Sequence, residues 1–150
     1  MSAADETGGS DAAAVTERVK GVRCVLVIDQ DLPRWLTVNT AAVLGVALGG
    51  HGIVPMGPSL PDSGGSEHPG IGALPLPVLA APGPELPALR QISLKSGLFV
   101  IDFNSAARDS REYPEYEQKL ASAEPSYLGI AIHGHAKLLT SITGNLRSLR

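Results

Sequence analysis

Four short apolar runs along the chain are each followed by a stretch whose apolar positions recur every three or four residues. The first run, RCVLVID at residues 23–29, is continuous in β-branched and leucine side chains, the pattern of a strand buried on both faces. After a turn marked by Asp31 and Pro33 the period becomes helical from about Leu36, with Gly49 and Gly50 read as its C-terminal caps. Ala41, Ala42, Gly45 and Val46 form a small-residue stripe on this helix, which lets it lie close against a sheet or another helix. ALPLPVLA at 73–80 alternates like a strand. Its two prolines lose their amides on the same side, so an edge strand is expected. ELPALRQISLKS at 85–96 has the pattern of a short amphipathic helix, and GLFVIDF at 97–103 that of a second buried strand. A polar helix is expected from Pro114, where proline suits the first turn. YLGIAIHG at 127–134 reads as the last strand and HAKLLTSITG as the last helix, with Gly144 as a left-handed cap. Leu146 and Leu149 are then expected to fold back onto the domain. Strands alternating with helices predict an α/β protein layered around one sheet.

Composition changes this picture in three places. Nine of the twelve prolines lie between residues 55 and 87, which excludes a long helix there. Residues 1–20 are mostly small, with four acids and two bases, and are expected to be a disordered tail, leaving residues 21–150 as a single domain. The formal net charge of -3 falls to -1 without that tail, a poor electrostatic footprint for nucleic acid, which is therefore not the expected partner. Cys24 is the single cysteine, so no intrachain disulfide is expected, and its apolar run predicts a buried thiol. No signal-like or bilayer-length apolar run is present, so a soluble, cytoplasmic protein without a membrane partner is expected.

Candidate chemistry gathers at the strand ends. The runs VLVID, LFVID and GIAIH close in Asp29, Asp102 and His133, and parallel neighbours would bring all three to one rim. Such a set can supply a general base with an orienting acid, or bind a polar ligand. The plainer alternative is that each aspartate stabilises a turn or caps a helix. Asn39 lies in the first turn of the first helix, where unpaired amides favour a polar ligand; as a helix cap it would be equivalent to Thr37. His133 and His135 share one face of a strand, but without a third ligand in sequence no metal site is expected. His68 sits in the Pro/Gly segment and joins a site only if that segment folds over the rim as a lid. His51 beside the helix-ending glycines reads as a cap or surface residue, and Lys137, Arg147 and Arg150 as solvated charges. No nucleophile elbow, phosphate loop, dinucleotide fingerprint or Cys-x-x-Cys pair occurs, and no cofactor is expected.

Two segments carry a resemblance. YLGIAIHGHAKLLTSITGNLRSL is similar to the final strand and helix of type II peptidyl-tRNA hydrolases, which close in Val/Ile-Thr-Gly-x-Leu-Lys/Arg-x-Leu. VLVIDQDLPRWLTVNTAAVLGVAL is similar to their opening strand, Asp-Leu turn and Ala-Ala helix. From about residue 21 the chain more closely resembles an uncharacterised bacterial family, the domain of unknown function numbered two thousand, through its DLP turn, NTAAVLG helix, HPGIGALPLPVL, LFVIDF, YLGIAI and ending. The resemblance implies a three-layer α/β domain with a four-stranded mixed sheet and, because hydrolases of this fold dimerise, a homodimer. It does not imply the hydrolase reaction. Where those enzymes place Lys-x-Ala-Ala-Gln-x-x-His, this chain has Asn39, Ala41, Ala42, Val43 and Val46, and ASAEPSY replaces their Asp-Ala-Gly-x-Thr loop.

The first functional reading is thus a small-molecule enzyme or binding protein with its pocket between the start of the first helix and the strand ends. Asn39 would be the anchor, Asp29 or Asp102 the acid or base, and His133 or His68 the titrating group. Acid–base or hydrolase-like chemistry would suit such a set. A divergent RNA-linked hydrolase or RNA-binding protein is the second reading, and a non-catalytic interaction or regulatory subunit the third.

Overall fold

In a computed structural model describing residues 11–150, the first apolar run becomes strand β1 (Val22–Asp29), with Cys24 to Ile28 all buried. The expected tail over residues 1–20 lies in its first half outside the described residues; its second half carries helix α1 (Asp11–Arg18). Beyond β1 the chain forms α2 (Arg34–Gly50), a two-residue hairpin of β2 (Leu60–Pro61) and β3 (Glu67–His68), then β4 (Val78–Ala81) and α3 (Leu86–Lys95). It continues through β5 (Phe99–Asn104), α4 (Ser105–Arg108), α5 (Tyr113–Ser122), β6 (Tyr127–His135), α6 (Ala136–Thr143) and β7 (Arg147–Ser148). The mixed main sheet has five strands, not four, in the order β5-β6-β1-β4-β7.

Both faces of the sheet are covered, which is why its central strands are apolar without alternation. On one face Leu36, Leu44 and Leu48 of α2 pack with Cys24, Leu26, Phe103 and Ala131. On the other, Leu86 of α3 and Leu139 of α6 pack with Val25, Val27, Ile130 and Ile132. Burial pushes the Cys24 thiol up to about 11, so it behaves as a small hydrophobe. At Gly129 a Cβ would stand 2.7 Å from the Thr40 methyl, so the missing side chain lets α2 sit close over β6.

Several expectations are corrected by the pairing. β5 is an edge strand with Phe99 38 % exposed, not a strand buried on both sides. β4 is not an edge, because β7 pairs antiparallel with it and the Leu149 amide donates to the Val78 carbonyl at 2.9 Å. Pro75 and Pro77 precede the strand rather than lying in it. The folded-back ending thus adds a strand, and Leu146 joins the core between the sheet and α6. The left-handed residue after α2 is Gly52 (φ 69°), two positions beyond the glycines expected to cap it. Gly144 keeps helical dihedrals (φ -64°), and glycine is needed there for another reason: a Cβ would lie 2.6 Å from the Thr140 carbonyl oxygen.

The Pro/Gly segment is held by its own backbone. Gly57 donates to Ile71 and Ala73 donates to Pro55, each at 2.8 Å, closing the loop that contains the β2–β3 hairpin. No helix among the described residues is long and apolar enough to cross a membrane.

Candidate functional site

The strand directions separate the five residues singled out from sequence. β6 runs antiparallel to both β1 and β5, with His133 paired to Cys24 and to Phe99. His133 therefore lies at the end of the sheet opposite Asp29, and the three strand ends do not form one rim. Asp29 and Asp102 are at the same end but have β6 between their strands.

Asp29 builds a turn: its Oδ1 accepts from the Asp31 amide at 3.0 Å. Its carboxylate lies so close to Gly83 that a Cβ there would stand 2.5 Å from Oδ2. Asn39 is exposed on α2, its side chain without a hydrogen bond among the described residues. His68 is exposed and pairs with Asp62 at 2.8 Å within the β2–β3 hairpin. Together with the Gly64 and Ser66 amides, that contact holds the Asp62 carboxyl below its usual range. The hairpin histidine borders a separate cavity of about 340 Å³ between α1 and the Pro/Gly loop. The half-buried His133 has its pKa lowered from 6.5 because burial disfavours the imidazolium.

Asp102 belongs to a polar network drawn from three elements. Alternation along IDFNS turns Ile101 and Phe103 to the α2 side and leaves Asp102 and Asn104 together on the other. Asn104, 1 % exposed, donates from Nδ2 to Asp102 Oδ2 at 2.7 Å and to the Tyr116 hydroxyl oxygen at 3.1 Å. Its Oδ1 accepts from the Ala107 amide at 3.0 Å and so caps α4. On the far side, Arg90 Nε lies 3.4 Å from Asp102 Oδ1, buried and without a hydrogen bond, while its guanidinium stands 5.3 Å over the Tyr127 ring. Both carboxylate oxygens are thus engaged by cationic or amide nitrogens.

This network borders a cavity of about 310 Å³ at the open edge of β5. Its floor is apolar, from Val43 and Ala47 of α2, Ile101 and Phe103 of β5, and Ala107 of α4. Asp102, Tyr116 and His51 line it with polar groups, together with the loop 110–113. That loop is fastened by Ser110 Oγ to the Ala106 carbonyl at 2.6 Å and by the Arg111 amide to Glu115 at 3.0 Å. Tyr113 packs edge-to-face on Tyr116 with centroids 5.5 Å apart, and His51 lies 6.0 Å from the Phe99 ring. An apolar concavity with a few convergent polar groups is the usual form of a small-molecule site.

A further cavity, of about 490 Å³, opens at the start of α2, where the sequence placed the pocket. Gln30, Leu32, Arg34, Thr37, Val38, Leu149 and Arg150 line it; neither Asn39 nor Asp29 does. The sequence reading missed Arg90, Asn104 and Tyr116, and took His51 for a cap or surface residue. Only Asn104 left a local signal, as a capping residue type directly before Ser-Ala-Ala.

The comparisons match this fold without a function. A solved structure of a protein of unknown function from Agrobacterium tumefaciens aligns with a TM-score of 0.74 at 17 % identity, covering 85 % of this chain and 97 % of that one. At that identity the likeness concerns the fold alone. No curated protein matches the sequence. The sequence pattern of the family described as protein of unknown function DUF2000 matches residues 22–150, and the chain belongs to that family.

Proposed function

We propose that this protein binds a small organic molecule in the cavity at the β5 edge, with Tyr116 and Asp102 as its polar anchors. The observation that carries this reading is the direction of the hydrogen bonds. Asn104 donates to the Tyr116 oxygen, which leaves the phenol's own proton free for an acceptor on the ligand, such as a carbonyl. Asp102 supplies carboxyl oxygens beside it, held by Asn104 and Arg90. The apolar floor suits a ligand with a hydrocarbon or aromatic body. His51 extends the reading to an enzyme, since an imidazole at the cavity can exchange a proton with what is bound. The scaffold is read as like that of type II peptidyl-tRNA hydrolases. Val43, where the resemblance places their glutamine, lies in the cavity floor, consistent with a different, more apolar ligand.

Thermal-shift screening of a fragment library against the parent protein and Tyr116→Phe tests the proposal, because a ligand selective for the folded state raises its stability. Compounds with a hydrogen-bond acceptor should stabilise the parent and lose about tenfold or more in affinity with Tyr116→Phe. The unliganded variant should stay within about 1 kcal/mol of the parent, since Asn104 keeps its bond to Asp102. A library that stabilises neither protein, or binds both equally, would overturn the assignment.

A further inference from the structure

Helix α1 turns its apolar side chains onto a cavity that it does not fill. Ala12, Val15 and Thr16 recur at three- and four-residue spacing and share one face, which lines the cavity of about 340 Å³ beside the Pro/Gly loop. No residue of α1 is buried, although its eight residues are too few for a helix to stand alone in water. The opposite wall is made by Gly57, Pro58, Leu60 and the run from Pro69 to Ala73. Leu60 and Ile71 are 53 and 80 % exposed, so the rim is apolar as well. This wall is braced by its backbone. Besides the two bonds that close the loop, Gly70 lies so tightly on Gly57 that a Cβ would strike the Gly57 carbonyl oxygen.

Among the described residues that line the cavity, only Thr16 and His68 have polar side chains, and both direct a proton into the protein. Thr16 donates its hydroxyl to the Ala12 carbonyl at 3.1 Å. The Asp62 carboxylate accepts from the Gly64 and Ser66 amides through Oδ1, at 2.8 and 3.2 Å, and from His68 Nε2 through Oδ2 at 2.8 Å. In the neutral ring Nδ1 is then an acceptor. What the two side chains leave for a ligand is therefore a pair of acceptors, the Thr16 oxygen and His68 Nδ1, in surroundings without Asp, Glu, Lys or Arg. We infer that this cavity is a second binding site, for a neutral apolar molecule carrying a hydroxyl or N–H donor, with His68 Nδ1 as its polar anchor. Its preference is the reverse of that proposed for the Tyr116 cavity, which presents a donor, and it does not depend on that reading.

Amide NMR spectra of the full chain titrated with indole at about pH 8 test the site, with N-methylindole as the same body lacking the donor. Indole should shift the amides of Gly57, Gly70 and Gly72, slow hydrogen exchange along α1 and bind about tenfold more tightly than N-methylindole. His68→Phe keeps a ring on the exposed hairpin and removes the acceptor. It should lower the affinity for indole about tenfold and leave N-methylindole bound no more weakly than by the parent. Thr16→Trp, at an exposed position of α1, fills the cavity and should abolish the shifts for both compounds. A parent without shifts at these amides would overturn the inference, as would shifts confined to residues 110–116, which put the probe in the Tyr116 cavity instead. Equal affinity of the parent for the two compounds would do the same. So would a His68→Phe variant that binds indole as tightly as the parent, or a Thr16→Trp variant that keeps the shifts.

Discussion

The amide of Asn104 is engaged at both ends, its oxygen capping α4 while its nitrogen holds Asp102 and Tyr116. A group this buried must have its hydrogen bonds satisfied, so the network is structural before it is functional. Asn104→Ala removes the cap and leaves Asp102 short of a donor, and should cost about 2–3 kcal/mol, read from urea denaturation. The contrast with Tyr116→Phe separates the two roles: the asparagine supports the site, whereas the tyrosine presents a proton to it. If Asn104→Ala unfolds at the parental midpoint, the network does not hold this edge together. Asp29, by contrast, stabilises a turn, with its carboxylate lodged against Gly83.

At the scale of elements, Gly144 shows how a glycine can be needed for a cause other than the one expected. The residue is required because a side chain would strike the Thr140 carbonyl, not because its dihedrals are left-handed. Gly144→Val should therefore lower stability by about 1–3 kcal/mol through overpacking in the turn that leads to β7. An unchanged melting curve would show that the turn can open without loss. The apolar runs were legible as strands because burial leaves its mark along each segment, and the helices because their period does. Strand direction leaves no such mark: GIAIH has the same pattern whether β6 runs up or down, and that one ambiguity misplaced His133. β7 was illegible as a strand because its two residues are exposed and its existence depends on the edge that β4 offers. Most of the candidate site was hidden for a related reason. Arg90, Asn104 and Tyr116 come from three elements, and only the folded sheet brings them to Asp102.

For the whole molecule, His133 couples stability to pH. Burial lowers its folded-state pKa below 6.5, so the unfolded chain binds the proton more tightly. The stability held by the neutral ring is complete above about 6.5 and is lost as pH falls toward the lowered value. The melting temperature should decline over that window, and His133→Gln should flatten the decline. An identical decline in the variant would move the effect to other groups. Above the window the imidazole is neutral in its half-buried place between Cys24 and Phe99.

The register of the sheet also bears on how the protein can be made. β1 lies at the sheet's centre and pairs along its length with β6, which leaves the ribosome about a hundred residues later. Until then the VLVI run has β4 as its main-sheet partner on one side and nothing on the other, so the nascent chain carries an unpaired apolar strand through most of its synthesis. Pairings this distant in sequence are slow to form and open to misassociation while they wait. Yield in the cell should therefore depend on chaperones and growth temperature more than the stability of the finished fold would suggest.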